Sequence, residues 1–399
     1  MIDKTKIATN KHFLEDKKIS ITIMSSFAIL TIQYFVLIYF NLIGTNLGQV
    51  VQLTSKGIVG FFYFLALPAV IKRRKTTFIV TYLIWIFLFI INYVIFSQNW
   101  IYLKSIIFPL FFICLPSFIY AYSIHDINVL IEVINKTYNV IFIFGALIGI
   151  LVFVNKASIG DYSMSLSYYM LLPSIIGLYN FFKQNHLRSL LLSLISFFVI
   201  LSLGARGPVM CLGFFIINYI IKNNLKINYK NLFLMFLAIM IFIFLLLNFE
   251  NIIFKLYNYF TRFGIQSRTL LLLLEGRISQ SSSRNNLYNE IWYLIKDNPI
   301  FGIGLAGDRY YTGMYVHNIF LEILSGFGII VGSFLVLLLL IICYKVFRMK
   351  NLNNSNLLII WMSIGLIPLL VSGSYLTHYQ FWIFLGIFLK LYRFPNVKD

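Results

Sequence analysis

Acidic side chains are scarce in this sequence. Thirteen aspartates and glutamates stand against 32 lysines and arginines, and only 11% of the 399 residues are charged. About 25% is usual for a soluble globular domain, so a fold surrounded by water is excluded. Cysteine is also sparse. Cys114, Cys211 and Cys343 lie far apart, each inside an apolar run and without CxxC spacing. That excludes a disulfide framework and leaves them as small packing residues. Familiar catalytic signatures are missing as well. The chain has no GxxxxGK(S/T), no HExxH, no Cys/His cluster and no Asp-x-Asp, which removes P-loop, zinc and divalent-metal nucleotide-sugar chemistry. Any chemistry has to rest on arginine, histidine and backbone dipoles, with no cofactor.

What is present is apolar. Hydrophobic residues make up 60% of the chain, in runs that recur from Ile19 almost to the C-terminus. Only helices that satisfy their own backbone, or closed barrels, cross a bilayer, and runs of this length predict an all-α polytopic membrane protein. Windowed hydropathy predicts twelve helices, near 19–40, 57–71, 77–96, 101–121, 138–154, 163–182, 189–204, 207–221, 231–249, 317–344, 355–371 and 377–391. The first run is too long for a signal-peptide core and no small-residue cleavage site follows it, so it reads as an uncleaved span.

Basic residues then set the orientation. Lys4, Lys6, Lys11, Lys17 and Lys18, the run Lys72-Arg73-Arg74-Lys75, and Lys390, Arg393 and Lys398 fall on one side of a twelve-span chain. Both termini are therefore expected in the cytoplasm. The net charge of +19 is dispersed over separate segments, which suits an anionic inner leaflet and not nucleic acid.

This gives three parts: a membrane bundle of nine helices over 1–249, a long external loop over 250–316, and three last helices over 317–399. A long loop on a protein of short turns is usually functional. Within it, Leu287, Ile291, Leu294 and Ile295 make one apolar stripe, which predicts an amphipathic helix over Arg284–Lys296. Ser283 is its expected N-cap, and Asn298-Pro299 its stop. The loop holds five arginines, Arg262, Arg268, Arg277, Arg284 and Arg309, against two lysines, Lys255 and Lys296. The planar arginine fork suits phosphate oxygens, whereas lysine is the ordinary solubilising choice.

Single residues narrow the chemistry. Arg206 stands at an outer turn between Gly204 and Gly207, with Pro208 starting the next helix; it is either a headgroup-seeking arginine or an anion clamp. The pair Gly302 and Gly304 reads as a tight turn in preference to a phosphate loop, because no strand precedes it. His317 falls where the chain re-enters the membrane, and an ordinary imidazole is largely neutral at pH 7, the form a general base needs. Asn318 and Glu322 are one turn apart, and a carboxylate at that depth is usually partnered. His378, in Ser372–His378, is a further candidate for lining the same outer site.

Arg206-Gly207, the long outer loop, Arg284, Trp292, Asn298-Pro299-Ile300-Phe301-Gly302-Ile303-Gly304, His317-Asn318 and Gly326-Phe327-Gly328 occur in that order. The order resembles the O-antigen ligase/polymerase family, with its Wzy-type polysaccharide polymerases and WaaL-type ligases, over roughly residues 200–335. The resemblance implies a C-type glycosyltransferase-like, metal-independent enzyme of the bacterial inner membrane. Its substrates would be undecaprenyl-diphosphate-linked oligosaccharides as donor and acceptor, and a chain-length regulator protein is a further implied partner. Arg206 and Arg284 would engage the diphosphate and His317 would activate the acceptor, with inversion at the anomeric carbon. Arg268, Arg277, Arg309, Asn318, Glu322 and His378 complete the expected substrate-binding set. The Asn-Pro-Ile-Phe-Gly-Ile-Gly run reads as a polymerase of repeat units. A ligase passing glycan to lipid A-core is the near alternative. A lipid-oligosaccharide flippase is the distant one, disfavoured because midplane charges and repeated halves are lacking.

Overall fold

The computed structural model describes residues 4–153, 164–202, 206–223, 249–262, 264 and 284–393. Every regular element among the described residues is helical. Among the described residues six segments are long and apolar enough to cross a bilayer: His12–Tyr39, Asn46–Ile95, Ser97–Ser123, Ile127–Leu151, Ile319–Arg348 and Leu352–Leu370. Leu187–Ile200 and Gly207–Lys222 are shorter apolar helices. The span expected at 231–249 lies outside the described residues.

In chain order the helices are α1 (Lys4–Tyr39), α2 (Asn46–Ile95), α3 (Trp100–Pro109), α4 (Leu115–Ser123), α5 (Ile127–Phe153), α6 (Met164–Tyr169), α7 (Leu171–Gln184), α8 (Leu187–Ser202) and α9 (Arg206–Lys222). They continue as α10 (Phe249–Arg262), α11 (Arg284–Asp297), α12 (Gly307–Thr312), α13 (Ile319–Arg348), α14 (Leu352–Gly365) and α15 (Tyr379–Arg393). Several begin earlier than hydropathy predicts, because a hydropathy window registers only the lipid-facing part of a helix. Helix α5 starts eleven residues before the expected 138, through about three turns that carry Asn128, Glu132 and Asn135. The segment 250–316 also holds more helix than expected, with α10 at its start and α12 near its end.

Two helices are broken, for different reasons. Helix α2 departs from helical geometry at Arg74 (φ −141°, ψ 38°), inside the basic run where sequence places a turn between two spans. That run is only partly a headgroup anchor. Arg73 is buried and pairs with Glu15 and Asp16, while Asp16 also accepts the His125 and Asp126 N–H groups. A buried carboxylate needs such partners, and the Arg74 cation rests 4.5 Å from the Tyr122 ring centre.

The second break corrects the expected straight span at 317–344. Gly328 adopts φ 76°, ψ 175° inside α13, so a short helix from Ile319 precedes the long apolar one. The break accommodates the run Pro299–Leu305. Ile329 N–H donates to Pro299 O at 2.7 Å and Ile303 N–H to Ser325 O at 2.7 Å. A Cβ on Gly328 would stand 2.3 Å from Ile300 O, in a left-handed conformation open chiefly to glycine. Gly328→Ala is therefore expected to cost at least about 1–3 kcal/mol for the backbone alone, read as a lowered unfolding temperature of the solubilised protein.

The chain forms two compact units, one of residues 1–26, 57–134 and 281–399, the other of 27–56 and 135–280. In the first, α15 packs on α4 and α14, and α11 packs on α13. In the second, α7 packs on α8, where Ser193 Oγ donates to Ser174 O at 2.7 Å. Its core gathers Ile38, Ile148, Met170, Val199 and Ile200.

Candidate functional site

Helix α11 sets one wall of the site. Its apolar stripe is the one expected from sequence: Leu287, Ile291 and Ile295 are buried together with Val316, and Leu294 packs against them. Burial of this stripe leaves Arg284, the first residue of the helix, only partly covered. It also fixes Val316, the residue immediately before His317. The expected cap, Ser283, lies outside the described residues.

The run Pro299–Leu305 carries the chain from α11 to α12. Its glycines serve a tight, packed turn: a Cβ on Gly302 would stand 2.3 Å from Ser325 O, and one on Gly304 2.5 Å from Asn92 Oδ1. Two asparagines that the sequence did not flag hold this turn. Asn92 Oδ1 accepts the Leu305 N–H at 2.7 Å, and Asn99 Nδ2 donates to Ile303 O at 2.8 Å. Every backbone polar group buried at such a turn requires a partner, and an amide supplies both a donor and an acceptor.

Beyond the turn lies a buried polar cluster. Arg309 Nη1 donates to Asp308 Oδ1 at 3.1 Å, and its Nη2 donates to Glu322 Oε1 at 3.4 Å and Ser374 Oγ at 2.7 Å. Ser374 Oγ donates in turn to Glu322 Oε1, whose other oxygen accepts the Tyr375 N–H at 3.2 Å. Asp308 Oδ2 accepts the Val316 N–H at 3.1 Å. Trp382 Nε1 donates to Tyr375 O at 2.7 Å and pins that loop to α15. The partner expected for Glu322 is thus Arg309, brought from a different part of the chain.

His317 stands beside this cluster in a left-handed backbone conformation, φ 57°. Such a conformation costs a non-glycine residue on the order of 1–3 kcal/mol and is held only where the surroundings impose it. The imidazole centre is 4.1 Å from that of Tyr315, and the Arg309 cation lies 5.6 Å from the Tyr315 ring centre. His317 Nδ1 is buried without a hydrogen-bond partner, an exception to the rule that buried polar atoms are satisfied. Burial, then the charges of Arg284 and Arg309, push the imidazole pKa down to about 4. At neutral pH the ring is uncharged.

The expected site residues fall into three groups. Arg284 and Arg309 lie near enough to His317 for their charges to lower its pKa. Asn318 is the N-cap of α13, its Oδ1 accepting from Phe320 N at 3.0 Å and Leu321 N at 3.3 Å. Glu322 is committed to Arg309, Ser374 and Tyr375. His378 follows the Ser374–Tyr375 loop, and its Nε2 lies 3.3 Å from Ile364 O. Arg206 opens α9, but its side chain, like the whole of Arg268 and Arg277, lies outside the described residues.

Residues 191–336 match the family model described as O-antigen ligase. The matched segment contains Arg206, Arg284, Arg309, His317 and Glu322, whereas Asn92, Asn99, Ser374 and Tyr375 lie beyond it. The match supports an O-antigen ligase/polymerase type of family, whose members are glycosyltransferase-like enzymes. No curated protein and no solved structure matches the chain. The six long apolar helices among the described residues indicate a multi-pass membrane protein, which is consistent with that family.

Proposed function

We propose that the protein polymerises undecaprenyl-diphosphate-linked oligosaccharide repeat units at the external face of the bacterial inner membrane. In this reading the chain crosses the bilayer twelve times, with both termini in the cytoplasm and the segment 250–316 outside. His317 takes the proton of the acceptor hydroxyl as its oxygen attacks the anomeric carbon of the donor. The bond from that carbon to the diphosphate breaks, and the configuration inverts. Arg284 and Arg206 stabilise the charge that builds on the departing diphosphate, a role arginine fills without a metal.

One observation carries the proposal: an uncharged imidazole, its Nδ1 buried and unpartnered, lies under the influence of two arginines within the segment that matches O-antigen ligase. The buried carboxylates beside it are committed to Arg309, which leaves His317 as the available base. The asparagine-proline-glycine run at 298–304 favours polymerase. The description of the matching family favours ligase as the second reading. A gel of surface polysaccharide from a deletion strain separates them: loss of a polymerase leaves single repeat units on the core, and loss of a ligase leaves none. The central test is elongation of a purified lipid-linked repeat unit, with and without Arg206, Arg284 and His317.

The pH profile gives a further expectation. The acid limb of kcat/KM reports the free enzyme and that of kcat the complex. With His317 titrating at about 4, the limb of kcat/KM lies well below the ordinary 6.5. Arg284→Gln removes a cation that disfavours protonation, so the limb moves up. A bound diphosphate offsets Arg284 and acts in the same direction, placing the kcat limb above that of kcat/KM. A limb at 6.5 in the wild type, unmoved by Arg284→Gln, contradicts this account.

A further inference from the structure

Sequence groups Arg309 with the arginines that would hold an anionic donor, but its surroundings are those of an internal strut. Both terminal nitrogens of its guanidinium are engaged, by Asp308, Glu322 and Ser374, and the residue is only 8% exposed. Two carboxylates face this one cation. With both ionised the cluster is net negative, and with one protonated it is neutral. In neither state does it attract a diphosphate.

Two contacts run from the cluster to the segment that carries the base. Asp308 Oδ2 accepts the N–H of Val316, one residue before His317. The Arg309 cation backs the Tyr315 ring, which itself lies against the imidazole. The left-handed backbone of His317 needs surroundings that impose it, and these two contacts bear on the residues just before it.

We infer that Asp308 and Arg309 are positioning residues, holding Tyr315-Val316-His317 in the geometry the base requires, and that Arg309 does not itself clamp the donor. The inference rests on the transferase reading above for its consequence in catalysis, and on the hydrogen bonds alone for its structural part.

The test uses the full-length protein in lipid nanodiscs, with Arg309→Lys and Asp308→Asn. The first readout is the titration of His317 by NMR of histidine-labelled protein. The chain has five histidines, and His317→Gln assigns the signal. A loosened segment admits water to the ring, so the midpoint is expected to rise from about 4 toward 6.5 in both variants. A purely electrostatic role gives no such rise, because lysine keeps the cation and removing the Asp308 charge lowers an imidazole pKa. An unmoved or lowered midpoint overturns the inference.

The second readout is steady-state elongation of a lipid-linked repeat unit. Misplacing a base is expected to lower kcat by about 10–100-fold, with KM for the donor held within about twofold. A KM raised roughly tenfold at unchanged kcat makes Arg309 a donor clamp and overturns the assignment. If His317→Gln elongates as well as wild type, the transferase reading fails, while the titration still decides the positioning role. Should Asp308→Asn not accumulate as folded protein, Arg309→Lys decides both readouts.

Discussion

Replacing His317 by alanine is expected to remove elongation of a lipid-linked repeat unit, by about 10²–10⁴-fold, the usual contribution of a positioned general base. The protein should still accumulate in the membrane. His317 Nδ1 makes no hydrogen bond, and alanine carries the same Cβ cost in a left-handed backbone, so the change breaks no bond of that atom and adds no new backbone strain. The measurement is the length distribution of glycan made by purified protein, beside the amount of protein recovered. Normal chain lengths from normal amounts of His317→Ala would remove the enzymatic reading and leave an assembly scaffold in its place. A parallel change at Arg284 tests the other half of the mechanism. Its loss removes transition-state stabilisation of the diphosphate, and the rate falls by a comparable order.

The largest expected effect on stability belongs to Arg309. Truncation to methionine keeps the bulk and leaves Asp308 at 2% and Glu322 at 4% exposure with no counter-cation. Breaking a buried pair in this way typically costs about 3–5 kcal/mol, because a charge is left uncompensated. Neutralising all three positions together, as Arg309→Met, Asp308→Asn and Glu322→Gln, is expected to recover much of that loss, since replacing a whole buried ion pair is often nearly neutral. Thermal unfolding of the solubilised variants makes the comparison. If the single change is as stable as wild type, the cluster is not the strut described here.

The amphipathic helix over Arg284–Asp297 was legible in the sequence almost to the residue. Its stripe has a period that depends on nothing outside the helix, and a proline follows at 299 to end it. The approximate places of most described spans were legible for the same reason, while the turn expected at the basic run 72–75 is a kink at Arg74 within one helix. The breaks were less so. Gly328 looks in sequence like any small residue of a membrane helix, and its left-handed geometry exists only because the run at 299–305 passes against it. The polar cluster was half legible. Glu322 announced a need for a partner, but nothing in spacing points from position 322 to 309, 308 and 374. Asn92 and Asn99 carry no signal at all, since each is an ordinary polar residue near a helix end.

Composition alone determined that this chain is a helical membrane protein, because so few charges and such long apolar runs leave no aqueous fold open to it. Residue types alone directed the proposed chemistry to arginine and histidine. Tertiary structure gave the arginines different surroundings. It buried Arg309 between two carboxylates and left Arg284 partly exposed beside an uncharged imidazole. Periodicity is a local property that a sequence displays directly, whereas the pairing of distant charges is settled only when the chain closes on itself.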